Sequence, residues 1–343
     1  MRSNIQRATV ALLATVTLVT AGATATVAQP DTPPSGDIST QVVGGRQATQ
    51  LPPGLAALEY DSESGFRDDH QTCTTVLLEK PGRPGWVQSG LTAAHCVSER
   101  PAGPSAASTR LAGEFGSPIW VPVKDRKFQL RAGSLDRTLV APLPITQVVI
   151  APWWKWIPGG PDPVDPTPAA DLAMFFLAEP IQVRGATVDS AEPRPGTPVR
   201  AVGWGRTSNL SAATPTIANE LRTRIIRPQE CAAGDISLHD LCTANPGGDG
   251  ACNADSGAGV YVPVNGRLLV TGLVSRGATA LCGGSPDVHQ GLGNFKPWID
   301  KVQNGTIRID LPLTPEQGGP IAHPTIKFTT TEAIELPKWV PVR

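Results

Sequence analysis

Short apolar runs broken by turn residues constrain the fold of this chain most strongly. From about Val42 to about Ser275, runs that are apolar or that alternate between apolar and polar residues are separated by Gly, Pro, Asp and Asn. This pattern is typical of short strands in an all-β barrel or sandwich. The clearest predicted strands are Phe128–Ala132, Thr146–Ile150, Asp171–Leu177, Val199–Trp204 and Leu221–Ile226.

One hairpin is predicted by its turn. Asn265-Gly266 lies between the apolar runs 259–264 and 267–275. Asn and Gly tolerate the positive φ angles of a type I′ turn, so these runs are expected to pair as antiparallel strands.

One helix is predicted after the last strand. Trp298, Ile299 and Val302 fall on one helical face, Asn294 is a candidate N-cap, Pro297 suits the first turn and Gly305 suits the stop.

The two ends of the chain differ in composition from its middle. Residues 1–28 have a basic start, an apolar run and a small-residue cleavage site, and predict a secretory signal peptide. The polar, Pro-rich segment 29–41 predicts a disordered propeptide or linker. A folded domain is expected over 42–304, and 305–343 is an extension of unknown role. No later stretch reaches the length of a membrane span, so a secreted, extracellular protein is expected.

Cysteine content and charge narrow the functional classes. Six cysteines in an exported chain predict three disulfides, and neither a C-x-x-C pair nor a histidine at zinc-ligand spacing is present, so no metal is expected. The formal net charge of -1 comes without a basic stripe or a polybasic patch. Neither a nucleic acid nor a membrane is therefore expected as a partner.

Three segments carry residues suited to nucleophilic catalysis. Hydrolysis by a serine needs an imidazole to take the hydroxyl proton, a carboxylate to orient the imidazole, and donors for the oxyanion. A histidine, an aspartate and a serine occur in this order in the segments Leu91–Cys96 (LTAAHC), Asp171–Leu177 (DLAMFFL) and Cys252–Gly259 (CNADSGAG). The G-x-S-x-G elbow of the α/β-hydrolases is absent from the sequence, and the order differs from theirs.

These segments, with Val42–Gly45 (VVGG) and Gly203–Arg206 (GWGR), resemble the chymotrypsin/trypsin-like serine proteases, in their secreted, bacterial-type form, over about 42–304. The resemblance implies an all-β fold of two six-stranded antiparallel barrels with a C-terminal helix. It implies that His95 is the general base, that Asp171 orients it and that Ser256 is the nucleophile. No cofactor is implied, and the expected partners are protein or peptide substrates of a monomeric enzyme.

The resemblance also assigns the oxyanion hole and the disulfides. The backbone N–H groups of Ala254 and Ser256 would bind the oxyanion, but Ala254 stands where the family carries glycine, and a Cβ there can strain or flip the peptide. The implied disulfides are Cys73–Cys96, Cys231–Cys242 and Cys252–Cys282.

Val42 resembles the mature N-terminus of the family, whose ammonium pairs with the aspartate before the catalytic serine, here Asp255. Gln41 replaces the basic residue of trypsinogens, so an activating protease of different preference is expected. The alternative is that VVGG is only a strand and a turn.

The substrate pocket is implied by position. Ser275 and Gly277 match the strand that pairs with substrate, whereas Asp287 replaces a glycine of the pocket wall and Gly250 replaces the aspartate of the trypsin floor. Asp249 precedes Gly250, and either carboxylate could select Arg or Lys. The competing interpretation is that Asp287 pairs with Arg276, or that Asp249 faces solvent, which leaves a pocket for small or apolar side chains.

The segment 152–170 is longer than in trypsins and contains Trp153, Trp154 and Trp156. These tryptophans either border the cleft or pack the insertion onto the barrel.

The prediction from sequence is a secreted serine endopeptidase that cleaves after Arg or Lys. The alternative is a catalytically weak or inactive homologue that acts as a binding protein, an interpretation motivated by Gln41, Ala254 and Arg276.

Overall fold

The computed structural model describes residues 43–61, 71–99, 121–122, 127–154, 170–307 and 326–336. The predicted signal peptide and linker lie outside these residues, as do Val42 and Trp156. Among the described residues, no helix has both the length and the apolar character needed to cross a membrane.

The fold is built from strands. In chain order they are β1 (Arg46–Gln47), β2 (Leu55–Asp61), β3 (Gln71–Lys80), β4 (Arg83–Thr92), β5 (Ser98–Glu99), β6 (Val121–Pro122), β7 (Lys127–Ala132), β8 (Leu143–Ile150), β9 (Ala173–Ile181), β10 (Pro198–Gly203), β11 (Asn219–Ile226), β12 (Asp240–Thr243), β13 (Gly259–Val264), β14 (Arg267–Gly277), β15 (Asp287–Gly291) and β16 (Lys327–Thr330). Short 3₁₀ helices cover Ala94–Cys96, Arg137–Leu139, Pro228–Gly234, Pro246–Gly248 and Gly293–Phe295, and an α-helix, α1, covers Lys296–Gln303.

Two closed antiparallel barrels of six strands each result. The first follows the order β8-β7-β2-β3-β4-β9 and closes where β8 pairs with β9. The second follows the order β11-β10-β13-β14-β15-β12 and closes where β11 pairs with β12. β1 adds to the outside of the second barrel and β16 to the outside of the first. The fold class expected from the sequence is confirmed.

Alternation along the strands explains the cores. In β7 the side chains of Phe128, Leu130 and Ala132 are buried, whereas their neighbours are exposed or half-buried, as the period of two in a strand requires. A further cluster joins the barrels, because Val76, Leu91 and Met174 of the first pack with Tyr261 and Leu273 of the second. This shared cluster fixes the cleft between the barrels.

The predicted hairpin is present. β13 and β14 pair antiparallel around Asn265 and Gly266, whose φ angles are 48° and 75°. Both values are those that a type I′ turn requires.

The predicted helix is present, but the prediction of Asn294 as its N-cap was wrong. Trp298, Ile299 and Val302 are buried as predicted, and Pro297 lies in the first turn. Asn294 instead lies inside the 3₁₀ turn Gly293–Phe295, and Phe295 takes the N-cap position. The Asn294 side-chain NH₂ group donates to the Glu192 carboxylate, and no side chain caps the helix.

Trp153 and Trp154 pack into the protein. Trp153 lies edge-on to Phe295 and Trp298, with ring centroids 5.6 and 6.2 Å away. The indole N–H of Trp154 donates to the Ser98 hydroxyl over 3.0 Å. Both side chains are buried, so these two tryptophans attach the start of the insertion to the barrels.

Part of the C-terminal extension is a strand. β16 pairs parallel with the second half of β8, from Gln147 to Ile150. Phe328 enters the first barrel's core, and the Thr331 hydroxyl accepts a hydrogen bond of 2.8 Å from the Trp298 indole. The extension therefore connects the first barrel to α1.

Candidate active site

His95 and Asp171 form a direct pair at the barrel seam. His95 lies in the 3₁₀ turn after β4, and Asp171 lies two residues before β9. The ring Nδ1 is 2.7 Å from Asp171 Oδ2, and the His95 backbone N–H donates to Oδ1 over 3.0 Å. An ionised carboxylate only accepts hydrogen bonds, so Nδ1 carries the proton. Nε2 is then the nitrogen that can take a proton.

Two residues of the second barrel hold Asp171 in place. The Ser275 hydroxyl donates to Asp171 Oδ2 over 2.6 Å. The Gln290 side-chain oxygen accepts the Asp171 backbone N–H over 2.8 Å, and Gln290 is fully buried. The aspartate of the first barrel is thus oriented by β14 and β15 of the second. The sequence matched Ser275 to the substrate strand, but no local pattern indicated its contact with Asp171 or the role of Gln290.

The electrostatics of the pair favour an ionised Asp171. Burial disfavours its charged form, but the charge of His95 and hydrogen bonds from His95 and Ser275 outweigh burial and lower the pKa to about 2. Burial also lowers the pKa of His95, a quarter of whose side chain is exposed, but the Asp171 charge and hydrogen bond outweigh it and the net pKa is raised. Asp171 therefore stays a carboxylate wherever His95 titrates.

Ser256 lies in a tight turn beside this pair. Its carbonyl oxygen accepts the Thr74 backbone N–H over 2.9 Å and is 3.7 Å from the Sγ of Cys96, the residue after His95. The neighbouring amides of Asp255, Gly257 and Ala258 all donate within the protein. In the described part of the chain, the N–H groups of Ala254 and Ser256 donate to no protein acceptor. Ala254 and the serine itself are half-buried residues, and their two unused amide donors are what an oxyanion site requires.

Ala254 has a φ of 78°. This left-handed conformation is readily adopted by glycine and disfavoured for alanine. The departure noted in the sequence is therefore a real backbone strain at this position.

The Asp255 carboxylate is buried under the turn. It accepts the Gly205 N–H over 2.7 Å and the Cys252 N–H over 3.0 Å. A Cβ at Gly203 or Gly205 would collide with this carboxylate, which explains the glycines of the G-W-G segment. Burial raises the Asp255 pKa to about 6, although the two amide bonds lower it. Its expected partner Val42 lies outside the described residues.

The six cysteines form three disulfides, Cys73–Cys96, Cys231–Cys242 and Cys252–Cys282. The first links β3 to the turn of His95, and the third links the turn of Ser256 to the loop before β15. Cys73, His95 and Cys96 also lie close enough together to resemble a metal site. The two sulfurs are bonded to each other, so they are not thiolate ligands.

A cavity of about 100 Å³ opens beside Ser256. Predicted pocket residues that line it are Ser275, Gly277 and Asp287. Asp287 is buried, and its Oδ2 accepts the Ala251 N–H over 2.8 Å. Burial, aided by the nearby Asp255 charge, raises the Asp287 pKa to about 7 in spite of that hydrogen bond. Asp287 thus lines the cavity together with Arg276, but among the described residues it forms no ion pair.

Neither Asp249 nor Gly250 lines the cavity, although both were predicted pocket residues. Gly250 borders the carboxylate, since a Cβ there would lie 3.3 Å from Asp287 Oδ2. Asp249 does not line the cavity. It follows the 3₁₀ turn Pro246–Gly248, and its carboxylate fills the space that a Cβ on Gly44 would need. Of the two candidate carboxylates, only Asp287 reaches the pocket.

Arg276 also lines this cavity, but its guanidinium is bound to groups other than Asp287. Its guanidinium pairs with the buried Asp240 over 2.6 Å and donates to the carbonyl oxygens of Gly234 and Asp235 over 2.9 and 2.6 Å. The suggested pairing of Asp287 with Arg276 is therefore not formed. Asp240 is 36 residues from Arg276, and no local pattern in the sequence indicated this pair.

Fold and site together define a class. Two closed six-stranded barrels carry a histidine–aspartate pair and a serine turn at their seam, the arrangement that double-barrel serine proteases also have.

Comparisons with known proteins agree with this class. The Trypsin family model matches residues 159–299. The chain is 30% identical over 142 residues to brachyurin of Leptuca pugilator, covering 39% of this chain and 61% of that protein. It is 30% identical over 135 residues to chymotrypsin-2 of Vespa crabro, covering 39% and 57%. The matched stretch thus spans about three fifths of these relatives' length.

The solved structure of mouse-brain neuropsin, a serine protease, aligns with a TM-score of 0.52 at 20% identity, covering 75% of this chain and 98% of that one. At this identity the likeness concerns the fold. Together the findings show that the chain is similar to chymotrypsin/trypsin-like serine proteases over part of its length and shares their fold.

Proposed function

We propose that this chain is a secreted serine endopeptidase that acts through an acyl-enzyme on Ser256. The observation that carries the proposal is the Asp171–His95 pair beside a serine turn with two unused amide donors. Three groups with three complementary roles at one seam are what acyl transfer requires.

The proposed chemistry proceeds in two halves. His95 Nε2 takes the Ser256 hydroxyl proton as the oxygen attacks the scissile carbonyl, and the Ala254 and Ser256 amides bind the oxyanion. His95 then gives the proton to the leaving amine, and an acyl-enzyme remains. Water attacks the ester by the same route in reverse and regenerates the serine. Asp171 stays ionised throughout, consistent with its low pKa.

The proposed preference is for Arg or Lys before the scissile bond. Asp287 supports it, because a buried carboxylate that lacks a cation gains strongly from one. The amide bond from Ala251 fixes Oδ2 at the cavity wall. Arg276 does not compete, since Asp240 holds it.

Activation by cleavage before Val42 is part of the proposal. A cavity lined mainly by apolar side chains, among them Val202, Leu221, Ala258 and Val274, borders the Asp255 carboxylate. This space is about 10 Å³, room for one water at most, so the Val side chain and its ammonium would enter as the surrounding loops rearrange on cleavage. The carbonyl of Val43, the residue after Val42, already accepts the Gly250 N–H over 2.9 Å. Val43 therefore lies against the loop that precedes the Ser256 turn.

The test is hydrolysis of a mixed-peptide library by protein cut before Val42, beside Ser256→Ala. Cleavage after Arg or Lys that vanishes in the variant is expected, with labelling of Ser256 by a fluorophosphonate. If neither cleavage nor labelling occurs, the binding homologue becomes the better interpretation.

A further inference from the structure

The backbone conformation of Ala254 must be held by its neighbours, whereas a glycine at this position would adopt it without strain. Ala254 is a half-buried residue with a φ of 78°, and alanine prefers negative φ. Left to its own preference, the residue would relax and turn its amide. Its N–H is one of the two proposed oxyanion donors, so something must hold it.

The direction of the Ala254 N–H follows from its own peptide plane. The Asn253 carbonyl accepts the Arg206 backbone N–H over 2.9 Å. The peptide is trans, so the N–H of Ala254 points opposite to that carbonyl. The Arg206 contact therefore keeps the Asn253 oxygen away from the site and directs the N–H toward it.

The other side of Ala254 is held by two side chains from β3. The Thr74 hydroxyl and the Gln71 amide nitrogen each lie 3.1 Å from the Ala254 carbonyl oxygen. Thr74 is fully buried and Gln71 is 5% exposed. Bonds on both sides of the residue fix φ and ψ together.

Gln71 has an unusual arrangement for a buried amide. Its nitrogen also donates to the Cys73 carbonyl over 2.8 Å. Its oxygen is buried and has no hydrogen-bond partner among the residues that the structure describes. An unpaired buried acceptor is destabilising, and here it accompanies donation to two carbonyls. Such an arrangement is typical of a site where geometry takes precedence over stability.

We propose that Thr74 and Gln71 are positioning residues that hold the Ala254 amide in the oxyanion orientation and so compensate for the missing glycine. The inference rests on the proposed function, because it assigns a role within the same reaction. β3 is well suited to the task, since the Thr74 N–H also bonds the Ser256 carbonyl over 2.9 Å. One strand thereby fixes the residue carrying each oxyanion donor.

The test compares kcat and KM of Thr74→Val, Gln71→Met and Thr74→Ser on one Arg-containing peptide amide, with the full chain activated before Val42. Loss of one holding bond is expected to lower kcat roughly 3- to 10-fold with little change in KM, because the amide acts on the transition state. Thr74→Ser keeps the hydroxyl and is expected to retain most of kcat.

Thr75→Val is the matched control. Thr75 is the next residue of β3, equally buried, and its hydroxyl donates to the Ala56 carbonyl over 3.3 Å, on another strand. It is expected to lower the unfolding temperature without lowering kcat. In an Ala254→Gly background, the effect of Thr74→Val on kcat is expected to shrink, since glycine adopts positive φ without strain.

The outcomes separate the two proposals. If the activated wild type is as inactive as Ser256→Ala, the proposed function fails and the positioning role fails with it. If the wild type is active but Thr74→Val and Gln71→Met leave kcat unchanged, only the positioning role is overturned. The positioning role would also be overturned if Thr75→Val lowered kcat as much as Thr74→Val does. The same holds if Thr74→Val lowered kcat equally in the wild-type and Ala254→Gly backgrounds. Should Thr74→Val not fold, Gln71→Met still decides, measured both alone and combined with Ala254→Gly.

Discussion

At the scale of single residues, the proposed role of Asp287 predicts a substrate preference that depends on pH. Its pKa is raised to about 7 by burial, so below about pH 7 it is largely neutral and above it largely ionised. The ratio of kcat/KM for an Arg peptide to that for its Gln counterpart is expected to rise with pH through 7, about tenfold per pH unit on the acid side. The ratio cancels the titration of His95, which serves both peptides.

Asp287→Asn is the control for that ratio. Asparagine keeps the shape and a hydrogen-bond acceptor for the Ala251 N–H but has no charge. The ratio is expected to be low and flat with pH. A wild-type ratio that is also flat would show that Asp287 does not govern the pocket.

A second residue-scale prediction concerns Ala254. Ala254→Gly removes the Cβ at a φ of 78°, and relief of a left-handed alanine is worth roughly 1 kcal/mol. The free energy of unfolding is expected to rise by about that amount in urea titrations. Ala258→Gly, in the same turn but outside the positive-φ set, is expected to lower it. A fall in both would mean that the strain at Ala254 is not significant.

The residue scale also shows where sequence is sufficient and where it is not. His95 and Ser256 were predicted from neighbours along the chain, because the motifs around them are local. Neighbours along the chain could not decide whether Asp249 or Asp287 lines the cavity. The answer depends on where the turn Pro246–Gly248 directs the Asp249 side chain. Arg276 bonds Asp240 across two strands, a contact without any local signal.

At the scale of elements, β16 explains part of the C-terminal extension. Phe328 is 5% exposed in the first barrel's core. Phe328→Ala is expected to lower the free energy of unfolding by about 3–5 kcal/mol through lost burial and a cavity. Urea unfolding would measure it, with Glu335→Ala, a neighbour outside the core, expected to change little. Equal stability of both variants would contradict a structural role for the strand.

Elements with short-range partners were the ones that the sequence predicted best. The β13–β14 hairpin is set by Asn265-Gly266, and the face of α1 is set by its own period. The Asn294 cap was wrong because the preceding 3₁₀ turn took that residue. The parallel pairing of β16 with β8 joins segments 180 residues apart, and neither segment's pattern specifies the other.

At the scale of the whole molecule, the proposed activation pairs Val42 with the distant Asp255. Cleavage before Val42 is expected to raise the rate of fluorophosphonate labelling at least ~100-fold, on the ~3–5 kcal/mol that separate a paired from an unpaired buried charge. Asp255→Asn is expected to abolish the response to cleavage. Glu230→Gln, at an exposed carboxylate, is expected to respond as wild type does. Equal labelling of cut and uncut wild-type protein would contradict activation.

The position of β16 has a consequence for the order of assembly. The first barrel is synthesised early, yet the edge of β8 from Gln147 to Ile150 is covered only when residues 327–330 arrive. Until then an apolar strand edge remains open to other chains, the condition under which nascent proteins associate wrongly. Synthesis therefore leaves this edge of the closed barrel uncovered for 180 residues after β8, and any chaperone that attends the chain has a definite segment to shield.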